Sequence, residues 1–238
     1  MAKLTKRQKK IQEIKGQFKG PVDPKEAIAV LKKFSKEACS SKSPQTFERS
    51  FHLGIDTTAN DQQVRASVSL PAGTGKIVRV AVVAKGEKVA AAKAAGAIEA
   101  GTEELVKKIE DGWMDFDVLV ASPDCMPMLG KLGRVLGPRG LMPNPKDGTV
   151  TADVVKAVRE LQAGKVSFRT EKTGAVVHMP FGNSNFSDED LLKNLQAAIH
   201  EIQKCKPSSS KGTYFKSTYI STTQGPGLKL AAEAVLAA

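Results

Sequence analysis

Cysteine is scarce, and the three present, Cys39, Cys125 and Cys205, are far apart and never form a C-x-x-C pair. An odd, scattered set rules out reading a disulfide framework and offers no zinc-site spacing. His52, His178 and His200 are equally dispersed, so neither a metal nor a cofactor is expected. Aromatic residues make up only 5% of the chain, which leaves few ring platforms for stacking bases. No apolar run reaches the roughly 18 residues of a membrane span. Residues 1–20, MAKLTKRQKKIQEIKGQFKG, lack the apolar centre of a secretory signal. The expectation is a cytoplasmic protein without a membrane partner.

Catalytic signatures are missing too. Gly73-Thr74-Gly75-Lys76 imitates a phosphate loop, but the upstream glycine is absent and Lys76 is followed by Ile77 instead of Ser or Thr. Asp115, Asp117 and Asp124 are close in sequence without any sign of convergence on a metal or a proton-transfer pair, and capping is the commoner role for such residues. Residues 130–148, GKLGRVLGPRGLMPNPKDG, are rich in glycine, proline and basic side chains. Such a loop suits a nucleotide phosphate or an RNA backbone, yet it sets no nucleophile beside a base. No catalytic residue is expected, and the competing enzymatic reading, a nucleotide-dependent transferase, would stand on Lys76.

What the chain has in excess is positive charge: 36 Lys and Arg against 25 Asp and Glu, a net charge of +11 and a pI near 9.5. That balance is the electrostatic footprint of a polyanion partner, with nucleic acid first. The most informative stretch is 214–230, YFKSTYISTTQGPGLKL, where an alternating strand runs into hydroxyls and a Gly-Pro-Gly turn. Hydroxyls both donate and accept, and Gly225 and Gly227 admit close backbone approach, which suits phosphate, ribose 2′-hydroxyl or base edge. Taken alone, such a segment is more commonly an edge strand and its turn. The basic residues up to Lys19 read either as an RNA-contacting arm or as a solvated, frayed helix.

Local patterns divide the chain. Asp23 as N-cap, Pro24 at the first helical position and Glu26 completing a capping box predict a helix with Ala27, Val30, Leu31 and Phe34 on one face. Residues 50–56 and 64–70 alternate with period two, flank a polar turn and are expected to form an antiparallel pair. The character then changes. Residues 77–84, IVRVAVVA, form a nearly continuous apolar run, as in a strand buried on both faces. Helix 87–95, a short strand at Ile98, helix 102–111 capped by Thr102 and ended by Gly112, and strand 117–121 follow, with Trp113 and Phe116 as core anchors. From Thr151 a helix runs to Gly164, strand 165–170 and a turn at 171–174 lead into 175–181, and residues 187–190 cap a helix striped by Leu191, Leu192, Leu195, Ile199 and Ile202.

Strands and helices that alternate between two α+β ends predict one domain interrupted by another. The expected fold is a split α+β base domain, an antiparallel sheet with helices over residues 1–72 and 163–238. Inserted in it is a Rossmann-like three-layer α/β domain over 73–162, with Gly73 and Gly164 as a two-stranded hinge.

The colinear motifs LGID at 53–56, DQQVRASVSLPAGTGK at 61–76, DGWMDFD at 111–117, GKLGRVLGPRGLMPNPKDGTVT at 130–151 and STTQGPG at 221–227 closely resemble those of a ribosomal family, large-subunit ribosomal protein L-one. The resemblance covers about residues 25–230. It implies a base domain that grips the mobile stalk of large-subunit rRNA, an inserted domain that swings outward, assistance to deacylated tRNA leaving the exit (E) site, and repression of the protein's own messenger. It implies a ribosomal location, in the cytoplasm or an organelle. Carried over residue by residue, it places RNA contacts at Lys42, Thr46 and Glu48, at Arg169, Lys172, Thr173 and Gly174, and at Ser217, Thr222, Thr223, Gly225 and Pro226. Lys42, Arg169 and Lys172 would pair with phosphates, the hydroxyls and backbone with ribose and bases. The chain departs from the family pattern at Ser43, where a phenylalanine is usual, and at Gln224, where a methionine is usual. A messenger-binding regulator whose ribosomal role is secondary is the third reading.

Overall fold

The computed structural model describes residues 4–38, 43–59, 61–171 and 174–231. Its contacts divide the chain into two compact units, Met1–Gly75 with Val166–Ala238, and Lys76–Lys165. The fold is mixed α/β, with antiparallel and parallel sheets and eight α-helices among the described residues.

The first unit opens with α1 (Lys6–Gln17), α2 (Pro24–Ala38), β1 (Thr46–Leu53) and β2 (Arg65–Ser69). The basic opening segment forms a capped helix. Thr5 Oγ1 accepts from the Gln8 N–H at 3.3 Å and Gln8 Oε1 accepts from the Thr5 N–H at 2.9 Å, a reciprocal cap spelled by Thr-x-x-Gln. Its periodicity is faint because no residue of α1 is fully buried. In α2, Asp23 Oδ1 accepts from the Lys25 N–H at 2.8 Å, and Ala27, Ile28, Leu31 and Phe34 are buried.

The second unit contains β3 (Val80–Val83), α3 (Glu87–Ala94), β4 (Glu99–Gly101), α4 (Glu103–Glu110), β5 (Val118–Ala121), α5 (Met126–Gly130), α6 (Gly133–Leu136) and α7 (Val154–Gln162). The first unit then resumes through β6 (Lys165–Arg169), β7 (Val176–Asn183), α8 (Asp188–Lys204), β8 (Phe215–Thr222) and β9 (Leu228–Lys229). Ser187 caps α8, its Oγ accepting from the Asp190 N–H at 3.1 Å.

The larger sheet has the order β7-β1-β8-β9, all antiparallel. The expected pairing of 50–56 with 64–70 does not form: both edges of β1 are taken by β7 and β8, and β2 joins β6 instead. The reason is burial. Phe47, Phe51 and Leu53 of β1 reach one apolar core together with Val177, Met179, Phe181 and Ile220, which a local hairpin would not supply.

In the second unit, β4, β3 and β5 make a parallel sheet in that order. Alternate β3 residues feed opposite cores: Ala81 and Val83 pack with Leu105, Ile109 and Leu129, while Val80 and Val82 pack with Ala92, Val154 and Val158. A strand covered on both faces needs the unbroken apolar run. That strand is shorter than the run, however, and Ile77 is 92% exposed. Thr102 precedes α4 but does not cap it; its hydroxyl donates to the Ala84 carbonyl at 2.8 Å. Gly112, at φ 100°, ends α4 with the paired bonds Gly112 N–H to Ile109 and Trp113 N–H to Lys108, a Schellman closure. Phe116 is buried and Trp113 packs beside it, ring centroids 5.4 Å apart.

Candidate nucleic-acid interface

The hydroxyl-rich tract closes the sheet where β1 begins and β8 ends. Thr46 N–H donates to Thr223 Oγ1 at 3.1 Å, Thr223 N–H donates to the Thr46 carbonyl at 3.1 Å, and the Thr223 hydroxyl donates back to that carbonyl at 3.4 Å. Thr223 is exposed, and after these bonds its oxygen keeps one acceptor lone pair for a ligand. The turn that follows is tight. Gly225 N–H bonds the Thr222 carbonyl at 3.0 Å, and a Cβ on Gly225 would lie 2.2 Å from Thr222 Oγ1. Glycine is therefore dictated by close approach to the buried Thr222 side chain, with buried Phe34 beyond it. Pro226 is buried beneath.

The residues singled out from the sequence fall into two groups. Thr46, Glu48, Thr222, Thr223, Gly225 and Pro226 share the end just described, with Phe47 opposite Thr222 and Glu48 opposite Ser221. Ser217 lies opposite His52, at the other end of β1. The turn bearing Gly174 lies at that same end, since His52 also pairs with Val176, and the exposed Arg169 ends β6 just before it. Six residues of strand separate the groups, about 20 Å at roughly 3.3 Å per residue. Lys42, Lys172 and Thr173 lie outside the described residues. Gly73 has φ 73° and Gly164 φ 109°, both left-handed conformations that suit glycine.

Between the groups runs the outward face of the sheet, which carries a residue the sequence reading passed over. Tyr219, 41% exposed, lies between Ser50 of β1 and Lys229 of β9. Ser50 Oγ in turn meets His178 Nδ1 at 2.9 Å, and Glu171 lies 3.7 Å from the far nitrogen of that ring. The alternation itself carried the signal: with Thr218 and Ile220 inward, Tyr219 must face out.

The inward face holds two further residues not anticipated. Arg49 is fully buried, its Cζ 4.3 Å from the Phe51 ring centroid, and its three guanidinium nitrogens have no hydrogen-bond partner among the described residues. Burial pushes its pKa down to about 9. Asn194 of α8 is also fully buried but completely engaged. It accepts from the Ala72 N–H at 2.9 Å and donates to the Gly73 carbonyl at 2.9 Å and the Phe181 carbonyl at 2.8 Å, which ties the departing chain to β7.

Among the described residues no three metal-binding side chains gather, and no helix is long and apolar enough to cross a membrane. The geometry offers hydroxyls, an exposed ring and scattered cations, a set suited to holding a nucleic acid. The family model described as Ribosomal protein L1p/L10e family matches residues 31–226 of the 238. The match reaches into both units and takes in the hydroxyls from Ser217 to Thr223, and the chain belongs to that family, as a structural protein of the ribosome that binds large-subunit rRNA.

Proposed function

We propose that the first unit holds the mobile stalk of large-subunit rRNA through the Thr46, Thr222, Thr223 and Gly225 end of its sheet, with Glu48 beside it and Ser217, Arg169, Gly174 and the undescribed Lys42, Lys172 and Thr173 extending the contact. The observation that carries this is the closure of Thr46 on the exposed Thr223, whose hydroxyl oxygen keeps a lone pair at the end of the sheet beside the tight Gly225 turn. The two units act as a split base domain and an inserted domain, with Gly73 and Gly164 as pivots. The inserted domain accompanies deacylated tRNA out of the exit site, and the same RNA surface represses the protein's own messenger through a stalk-like element.

The test is a salt-titrated affinity of the whole protein for the stalk fragment, beside an unrelated hairpin of equal length. The stalk is expected to win by at least tenfold, about 1.4 kcal/mol, with log affinity falling linearly in log salt. Equal, weak binding to both would defeat the reading. Thr223→Val removes the lone pair and the two hydroxyl bonds to Thr46 but keeps the backbone bond, and should weaken stalk binding by about 1–3 kcal/mol. Comparing the stalk with the messenger element tests repression: similar affinities support it, and a gap above tenfold demotes it.

A further inference from the structure

At the far end of β8 from the Gly225 turn, a cavity of about 440 Å³ opens beside Ser217. Pro21, Phe215 and Leu230 contribute apolar walls, and Lys206, Lys216 and Lys229 stand among them. Among the described residues no acid lines it. Tyr214 forms another wall, held by its hydroxyl bond to the Ile202 carbonyl at 3.2 Å and packed on Phe215 with centroids 5.0 Å apart. Thr213 and Lys216 also line a neighbouring polar cavity of about 700 Å³ that adds Lys211. Its one acid, Asp56, is engaged by the Thr58 N–H and hydroxyl at 2.9 and 2.7 Å.

We propose that the cavity beside Ser217 receives one unpaired nucleotide of a bound RNA strand, its base against the apolar walls and its phosphate among Lys206, Lys216 and Lys229. The volume falls in the roughly 300–1,000 Å³ range of small-ligand sites. Apolar walls with cations and no acid match a flat, weakly polar ring joined to an anion, and single-stranded RNA presents that unit when a base is splayed from its stack. Two features favour RNA over an acidic peptide: the site adjoins Ser217 on the strand that carries the Thr223 end, and the family binds rRNA. The inference rests on the RNA-binding reading of the first unit and adds to it a pocket about 20 Å along the sheet from the Gly225 turn.

The experiment is amide-resolved NMR of the whole protein titrated with uridine 5′-monophosphate, and separately with inorganic phosphate and an oligoglutamate peptide. Saturable shifts at Tyr214, Phe215 and Leu230 are expected with the nucleotide and not with phosphate or peptide. The exposed pair Lys206→Gln and Lys229→Gln should reduce nucleotide affinity about fivefold, the loss of two partly screened charge contacts. Phosphate acting as well as the nucleotide would reduce the site to a basic patch and overturn the proposal, as would the peptide competing equally or the double variant binding unchanged. Stalk preference lost in the unaltered protein while the nucleotide still saturates the cavity would instead overturn the RNA-stalk reading and leave the cavity assignment standing.

Discussion

The two units treat polar groups in opposite ways. Of the eight buried polar or charged residues among those described, Ser122 alone belongs to Lys76–Lys165; Arg49, Asn194, Gln45, Thr222 and three others belong to the unit around it. The parallel sheet is a sandwich of Val, Ala, Leu and Ile whose polar pairs stay near the surface. The antiparallel unit buries Asn194 where the segment 72–73 must be fixed, while the buried Thr222 hydroxyl and Arg49 guanidinium have no hydrogen-bond partner among the described residues. Its interior is thus set by polar geometry as well as by apolar area, and single side chains should matter more there.

The sharpest way to break that contrast is Asn194→Leu. The substitution keeps the branching and heavy-atom count of the side chain but removes its three hydrogen bonds to the Ala72 N–H and the Gly73 and Phe181 carbonyls. A loss of about 2–4 kcal/mol is expected, the Phe181 carbonyl being orphaned in the interior and the Ala72 and Gly73 groups in part-buried positions, read by urea unfolding. Ser122→Ala in the other unit should cost about 1 kcal/mol at most. Equal losses would erase the distinction.

Arg49 gives an effect of the opposite sign. A buried charge without a partner is a liability, and replacing buried ions with apolar side chains of similar size is often stabilising by roughly 1–4 kcal/mol. Arg49→Met should therefore stabilise the protein by about 2 kcal/mol at neutral pH. The gap should also depend on pH. Below about 9 the guanidinium is charged in folded and unfolded chains alike, so the burial cost is present in full. As pH rises through that value toward the ordinary 12.5, the folded protein binds fewer protons than the unfolded one and the unaltered protein gains stability. Thermal unfolding of both forms at about pH 8 and about pH 10 should show the gap narrowing. A constant gap would mean that Arg49 keeps its charge and costs only what its shape costs.

These residues also mark where sequence patterns stop being informative. The apolar run around Val80–Val83, the Ser187 cap and the Gly112 stop each report a local demand, and local demands are written locally. The partners of β1 are not: Thr46–Leu53 states which face is buried but not which strands supply the other half, and the nearest candidate proved wrong. Arg49 was readable as an anomaly, since parity places it inward with Phe47 and Phe51, yet nothing along the chain says whether a partner waits across the core. Asn194 occupies the helical position after Leu191 that an apolar residue would fill, and its three backbone partners come from 72–73 and from β7, far away in sequence. The Thr46–Thr223 closure likewise joins residues 177 positions apart. The hydroxyl tract was legible as chemistry and not as geometry, so its division into two groups came only with the register.

Asp117 supplies the smallest and most discriminating test, because it is the inserted unit's own charged cluster and should respond to acid where Arg49 responds to alkali. Partial burial alone would raise its pKa. The Arg79 N–H at 3.1 Å, the Arg79 side chain at 3.3 Å and Lys76 at 3.1 Å outweigh that and hold it down to about 2 from 3.8. A carboxylate with a lowered folded pKa stabilises above its unfolded value and loses that contribution as pH falls through the folded one. Its side chain is 24% exposed and its cationic partners more so, so screening should keep the contribution at about 1 kcal/mol or less. Asp117→Asn should be less stable than the unaltered protein by that amount near pH 6 and should converge with it near pH 2. A difference that persists unchanged into acid would show that Asp117 holds the segment before β3 by shape and backbone hydrogen bonding. The Asp117 cluster would then owe nothing measurable to charge, and the contrast with Arg49 would be wider than the buried residues alone indicate.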